Sequence, residues 1–298
     1  MPTEPSPIRL RALLSEYPST RALRAGVVPS PLIHFDFATP KVLYAEFKPL
    51  IAELKYDVAE LPITTFLQAY QYGKRLVLLP FIMNARFQHD CLVHNSASGP
   101  LNVRALKGKR IGVRSYTQTT VAWLRGILQD DYGLDPADAV WVTISGSHLD
   151  EYTDPANCLR ATAGKTLEQM LLDGEIDAAV LAPGLYADPR IKPLIPNGQD
   201  VALDWFKRTQ IRPMNHMVVV SEPLAQSRPD VVTELYRVLV ESKKAAPLPA
   251  HGIDLGPPGI EASRHSLGAI IDYAFRSGVI ARRFTVDELF NNSPFAGA

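Results

Sequence analysis

Tyr56-Asp57-Val58-Ala59-Glu60-Leu61-Pro62 and Ile176-Asp177-Ala178-Ala179-Val180-Leu181-Ala182-Pro183 are one design written twice: an apolar strand of pattern x-Asp-x-Ala-x-Leu closed by proline. A helix precedes each copy. Before the first, Val42, Phe47, Leu50, Ile51 and Leu54 fall mostly on one helical face from Lys41 onward. Before the second, Thr166-Leu167-Glu168-Gln169 has capping-box spacing, Met170 and Leu171 continue the apolar face, and Gly174 stops the helix. The copies lie about 120 residues apart, too far for a short-period repeat array and suited to one unit per lobe. After Pro62, Thr64 or Thr65 can cap a helix ending at Gly73.

Outward from these copies, Ile8 to Leu14 and Leu32 to Phe37 read as strands, with Ser15-Glu16-Tyr17-Pro18 as the loop leaving the first. Arg110-Ile111-Gly112-Val113 is a buried strand, followed by Ser115 to Thr120 and a helix with Val121, Leu124, Ile127 and Leu128 inward and Gly133 as its stop. Strands alternating with helices predict an α/β fold of two lobes, each a mainly parallel sheet flanked by helices, with a ligand cleft between them. Cys91-Leu92-Val93 and Met217-Val218-Val219-Val220 are the natural crossings, which makes residues 1–94 plus 217–298 the first lobe and 95–216 the second. Ser227-Arg228-Pro229-Asp230 opens a helix through Lys244, the loop Pro247 to Pro258 carries four prolines, and Ser263 to Phe275 is a final helical region.

The chain has 298 residues with 31 Lys+Arg and 31 Asp+Glu, so its formal charge is zero and a general affinity for nucleic acid or anionic membrane is not expected. Hydrophobic residues at 46% and charged residues at 21% exclude disordered, collagen-like and coiled-coil classes. Cys91 and Cys158 cannot build a disulfide framework, and no apolar run reaches the roughly 20 residues of a membrane span. The acid and three prolines of Met1 to Pro7 do not resemble a secretory signal, so a cytoplasmic location is expected.

Two segments carry candidate chemistry. Ser115-Tyr116-Thr117-Gln118-Thr119-Thr120 lies between a strand and a helix, where unpaired backbone N–H groups, the helix dipole and hydroxyls can hold a carboxylate or phosphate; equally, one threonine can simply cap the helix. Pro62-Ile63-Thr64-Thr65 poses the same question in the first lobe. Phe81 to His89 follows the strand Leu76 to Leu79; there Arg86 can clamp a carboxylate through two hydrogen bonds and His89 can move protons near neutral pH. His216 stands just before the second crossing. His89 and His94 would point to opposite faces of a strand and make a poor metal pair, and the zincin, Cys-x-x-Cys, Walker A, Rossmann and Gly-x-Ser-x-Gly patterns are missing.

Phe81 with Arg86-Phe87-Gln88-His89, Leu106-Lys107-Gly108-Lys109-Arg110-Ile111-Gly112-Val113, and Thr119-Thr120-Val121-Ala122-Trp123-Leu124-Arg125-Gly126-Ile127-Leu128 resemble the 4,5-dihydroxyphthalate decarboxylase family. Gly174-Glu175-Ile176-Asp177-Ala178, Pro213-Met214-Asn215-His216 and Val286-Asp287-Glu288-Leu289-Phe290 fit it too. The resemblance implies a periplasmic-binding-protein type 2-like fold and removal of one ring carboxylate from a catechol dicarboxylate, as in phthalate degradation, to give 3,4-dihydroxybenzoate and carbon dioxide. It implies no metal or organic cofactor. On this reading Arg86, His89 and His216 are catalytic, with either histidine as proton donor. The substrate-binding set is Glu16, Thr64, Thr65, Phe81, Ser115, Tyr116, Thr117, Thr119, Thr120, Trp123 and Arg125. The expected partner is a small aromatic carboxylate, with neither nucleic acid nor membrane, and a homo-oligomer is left open. Gln88, Asp90 and Asn215 depart from the family pattern, which keeps a different hydroxylated aromatic acid open as substrate. The rival reading is a non-catalytic solute-binding protein for a small aromatic or carboxylate ligand.

Overall fold

A computed structural model describes residues 7–162 and 164–296 of the chain; the opening segment Met1 to Ser6, read above as non-secretory, lies outside the described residues. Along the chain the principal elements are β1 (Ile8–Leu13), α1 (Arg21–Arg24), β2 (Ile33–Phe37), α2 (Phe47–Glu53), β3 (Val58–Pro62), α3 (Ile63–Gln71), β4 (Leu76–Ala85) and β5 (Leu92–Asn95). There follow β6 (Arg110–Val113), α4 (Thr119–Tyr132), β7 (Val140–Thr143), β8 (Cys158–Arg160), α5 (Leu167–Leu172), β9 (Ala178–Val180), β10 (Ile191–Pro193) and α6 (Gly198–Thr209). The chain ends with β11 (Met214–Ser221), α7 (Glu222–Ser227), α8 (Pro229–Lys244) and α9 (Ile260–Arg276).

Two compact units result. Unit 1 takes the described residues of Met1–Ala85, Met214–Gly268 and Phe284–Ala298; unit 2 takes Arg86–Pro213 and Ala269–Arg283. The expected change of lobe at residue 94 falls later than the observed change at residue 85, because β5 is a strand of the unit 2 sheet, bonded antiparallel to β9 and β10. The change back comes at Met214, where β11 joins the unit 1 sheet, and the assignment changes twice more at α9 and beyond it.

Unit 1 holds a five-stranded mixed sheet of order β2-β1-β3-β11-β4. β1 runs parallel to β2 and β3, while β11 runs against both β3 and β4, so β1 to β4 share one direction. In α8, Val231, Leu235, Val238 and Leu239 recur at helical spacing and pack on Leu10, Val58, Leu79 and Val218 of the sheet. Each such side chain, fully withdrawn from water, contributes about 1.5–3 kcal/mol.

Unit 2 holds a six-stranded mixed sheet of order β10-β5-β9-β6-β7-β8, with β6 parallel to β7 and β9. Leu167, Met170 and Leu171 of α5 pack with Val93, Val142 and Ile176 beside it. The twice-written design occupies the same topological place in each sheet. β3 is bonded parallel to β1 and antiparallel to β11; β9 is bonded parallel to β6 and antiparallel to β5. The Thr166–Gln169 capping box is formed as expected, and Gly133 closes α4 in the left-handed conformation, φ 69°.

Candidate functional site

Glu60 is the one charged residue of β3, a strand otherwise made of Val58, Ala59, Leu61 and Pro62, and its side chain is fully enclosed. A carboxylate taken out of water costs several kcal/mol unless paired and hydrogen-bonded. Glu60 has three partners: the Ser15 backbone N–H donates at 2.7 Å, the Tyr17 hydroxyl donates at 2.9 Å, and His216 Nδ1 lies 2.6 Å away. Ser15 and Tyr17 belong to the loop after β1. Thr20, itself buried, fixes that loop by accepting from the Tyr17 N–H and donating to the Ser15 carbonyl. Asn84, near the end of β4, donates to the Tyr17 oxygen at 3.4 Å.

His216 enters from the opposite direction. On antiparallel β11 it pairs with Pro62 and Asn84, so the start of β11 meets the carboxyl ends of β1, β3 and β4 at one sheet edge. Ligands of open α/β sheets bind outside these strand ends. Phe47 meets the imidazole edge-on at 5.7 Å between centroids, which helps hold its plane, and the ring keeps 18% of its side-chain surface exposed while Glu60 keeps none.

Protonation follows from this packing. Burial alone would raise the Glu60 carboxyl, but the hydrogen bond and charge of His216 and the Ser15 donor outweigh it and hold the group below its ordinary value. Burial, then the Glu60 charge, pushes the Tyr17 phenol well above its usual range, so it stays a hydrogen donor. The arrangement is a carboxylate orienting an imidazole through Nδ1, which directs Nε2 to proton transfer.

The second candidate cluster lies in unit 2 at the start of α4. The helix begins at Thr119 after Gln118, which makes no side-chain cap. Thr119 and Thr120 therefore occupy the first turn rather than the cap, and both are buried. The same correction applies in unit 1: Pro62 passes directly from strand to helix, leaving Thr64 and Thr65 inside the first turn of α3. Arg86 donates from one terminal nitrogen to Thr120 Oγ1 at 3.2 Å, while its Nε is buried with no partner among the described residues. Ser115 and Thr117 share a hydrogen bond of 3.1 Å between their hydroxyls. Helix N–H groups, the dipole and a guanidinium together favour an anion.

Other expected site residues are placed differently. His89 is fully buried in unit 2 against the Trp205 ring, with neither ring nitrogen bonded among the described residues. Burial pushes its pKa down to about 4, which favours the neutral imidazole over the imidazolium at neutral pH. Phe81 is a core side chain of the unit 1 sheet, and Trp123 is enclosed edge-on to Tyr273. Arg125 is buried with its guanidinium 3.8 Å from the Tyr116 ring centroid and its three guanidinium nitrogens without a hydrogen-bond partner among the described residues, while the Tyr116 hydroxyl donates to the Ser277 carbonyl. Glu16 is exposed and paired with Arg21. Glu60, Ser15, Tyr17 and Asn84 were not expected at a site; a lone acid in a buried apolar strand was the available signal. Among the described residues, no cluster of three or more His, Cys, Asp or Glu could hold a metal, and no helix is long and apolar enough to cross a membrane.

Comparison with known proteins gives consistent relatives. The chain is 28% identical over 205 residues to a 4,5-dihydroxyphthalate decarboxylase of Comamonas testosteroni, covering 64% of this chain and 62% of the relative. It is 29% identical over 164 residues to a protein of the same description from Pseudomonas putida, covering 51% of this chain and 64% of that one. The chain thus spans somewhat less than two thirds of the length of these relatives. No family model matches. Among solved structures, the alkanesulfonate-binding protein SsuA of Xanthomonas axonopodis pv. citri bound to MOPS superposes with a TM-score of 0.59 at 15% identity, covering 96% of this chain and 98% of that one. The fold is the periplasmic-binding-protein type 2-like α/β fold, and the expected sequence resemblance to 4,5-dihydroxyphthalate decarboxylases is found.

Proposed function

We propose that this protein removes a carboxylate from a hydroxylated aromatic acid, with 4,5-dihydroxyphthalate as substrate and 3,4-dihydroxybenzoate and carbon dioxide as products. The observation that carries the reading is the 2.6 Å contact between buried Glu60 and partly exposed His216, in a chain whose curated relatives are described as decarboxylases of this substrate.

In 4,5-dihydroxyphthalate each carboxylate lies para to a hydroxyl. Ionising that phenol raises electron density at the ring carbon bearing the carboxylate. His216, held by Glu60 through Nδ1, gives its Nε2 proton to this carbon. The carbon–carboxylate bond then breaks, its electron pair returns to the ring, and neutral carbon dioxide leaves. His216 regains its proton from water. One proton is consumed and one carbon dioxide formed, so the step balances. Arg86 and the first turn of α4 are assigned the carboxylate-holding role.

Purified protein incubated with 4,5-dihydroxyphthalate is the test. Ultraviolet conversion to 3,4-dihydroxybenzoate with matching release of carbon dioxide supports the proposal. Saturable binding of the diacid without turnover contradicts it and favours a solute-binding role instead.

A further inference from the structure

Unit 1 contains a cavity of about 570 Å³ that the chemistry above does not use. Its walls come from the end of β4, the end of α8 and the proline-rich loop after it, with Ile82, Met83, Val240, Leu248 and Leu255 supplying apolar surface. The volume lies within the roughly 300–1,000 Å³ of small-molecule sites, and a mainly apolar wall with a few polar groups is their usual chemistry.

The polar groups are what make this cavity informative. Tyr17 and Asn84 both line it, and they are consecutive links in the chain Asn84 to Tyr17, 3.4 Å, and Tyr17 to Glu60, 2.9 Å, that ends on His216 at 2.6 Å. Lys243 and Lys244 also line it against the single acid Asp254, which Lys243 contacts at 2.9 Å. Lys244 is paired in turn with Glu241 at 2.7 Å, so the wall is not left with unpaired charge; its ammonium groups, the Asn84 amide and the Tyr17 hydroxyl make it rich in hydrogen donors, which suits a carboxylate. Met83 and the flat faces of Pro247 and Pro258 suit an aromatic ring.

We propose that this cavity is a second ligand site, taking an aromatic carboxylate of one or two rings, and that its occupancy is felt at His216 through Asn84, Tyr17 and Glu60. A ligand oxygen that accepts from the Tyr17 hydroxyl competes with Glu60 for that proton, and one that accepts from the Asn84 amide competes with the bond Asn84 gives the Tyr17 oxygen. Weakening the bond that Tyr17 gives Glu60 leaves more of the Glu60 charge for the imidazole. The inference rests on the cavity and the hydrogen-bond chain, and goes beyond the decarboxylase reading without requiring it.

The test uses 2-naphthoate as probe, titrated calorimetrically into the full-length protein, with histidine ring nitrogens followed by NMR. Wild type binds saturably and the His216 signals, assigned with His216→Ala, move on saturation. Ala246→Trp, which fills the cavity, weakens binding by about tenfold or more. Leu248→Asp, on the exposed rim where a charge is tolerated by the fold, does the same by repelling the anion. In Tyr17→Phe the probe still binds but the His216 signals stay still. Absence of saturable binding, or unchanged binding in both cavity variants, overturns the site. His216 signals that are unmoved in wild type, or move equally in Tyr17→Phe, overturn the coupling. None of these readouts depends on turnover, so failure here is separable from failure of the decarboxylase proposal.

Discussion

Glu60 and His216, 156 residues apart in the chain, are joined by a 2.6 Å contact between a fully buried carboxylate and a partly exposed imidazole. Removing the charge while keeping the shape isolates what the carboxylate does. Glu60→Gln is expected to lower turnover about 10²-fold with KM little changed, because His216 loses the negative charge beside its Nδ1. It is also expected to cost about 1–3 kcal/mol of stability through the disturbed Ser15 and Tyr17 bonds, measured by denaturant unfolding.

The same carboxylate shapes acid stability. Its folded pKa is depressed, so the stability it contributes is present above the ordinary carboxylate range and is lost as pH falls through the depressed value. Unfolding midpoints measured downward from neutral pH should fall less steeply at the acid end in Glu60→Gln than in wild type.

His89 acts in a different window. Its pKa falls from 6.5 to about 4 through burial, so the unfolded chain takes up a proton there before the folded chain does. Stability is therefore lost as pH drops from about 6.5 to about 4, by up to ~3 kcal/mol. His89→Phe, which keeps a ring against Trp205, should flatten this slope in thermal melts while leaving turnover at neutral pH intact.

Arg86 offers a test of the carboxylate anchor. Arg86→Gln keeps a donor for Thr120 but removes the charge, so KM for the aromatic diacid should rise about 10-fold or more while the folded state remains. An unchanged KM with an unchanged melting temperature would remove Arg86 from the site.

Gly126, part of the Trp123–Ile127 segment, is explained by packing. A Cβ built there would lie 2.1 Å from the Tyr273 ring, so the helix can approach that ring only through a glycine. Gly126→Ala is expected to destabilise by about 1–3 kcal/mol, read as a lowered melting temperature.

Much of the fold was legible because its signals are local. The repeated strand-and-proline design, the Thr166 capping box and the Gly133 stop each depend on residues within a few positions, and each formed as read. Pairing across long separations was not legible. Cys91-Leu92-Val93 looks like any apolar run, and only the β5–β9 and β5–β10 ladders assign it to unit 2. The threonines near Pro62 and Gln118 look like caps, but the chain enters both helices earlier. At the site, His216 was picked out from sequence, whereas Glu60 was passed over as part of a strand. Nothing near Glu60 in the chain reveals that Tyr17, 43 residues before it, and His216, 156 after it, would meet it.

The account turns on the Glu60-oriented imidazole as the source of the proton that replaces carbon dioxide. Single-turnover release of carbon dioxide from 4,5-dihydroxyphthalate by wild type and by His216→Ala measures this directly. The expected result is a fall of about 10²–10⁴-fold in the chemical step, with affinity for the diacid retained. Equal rates from both proteins would contradict it.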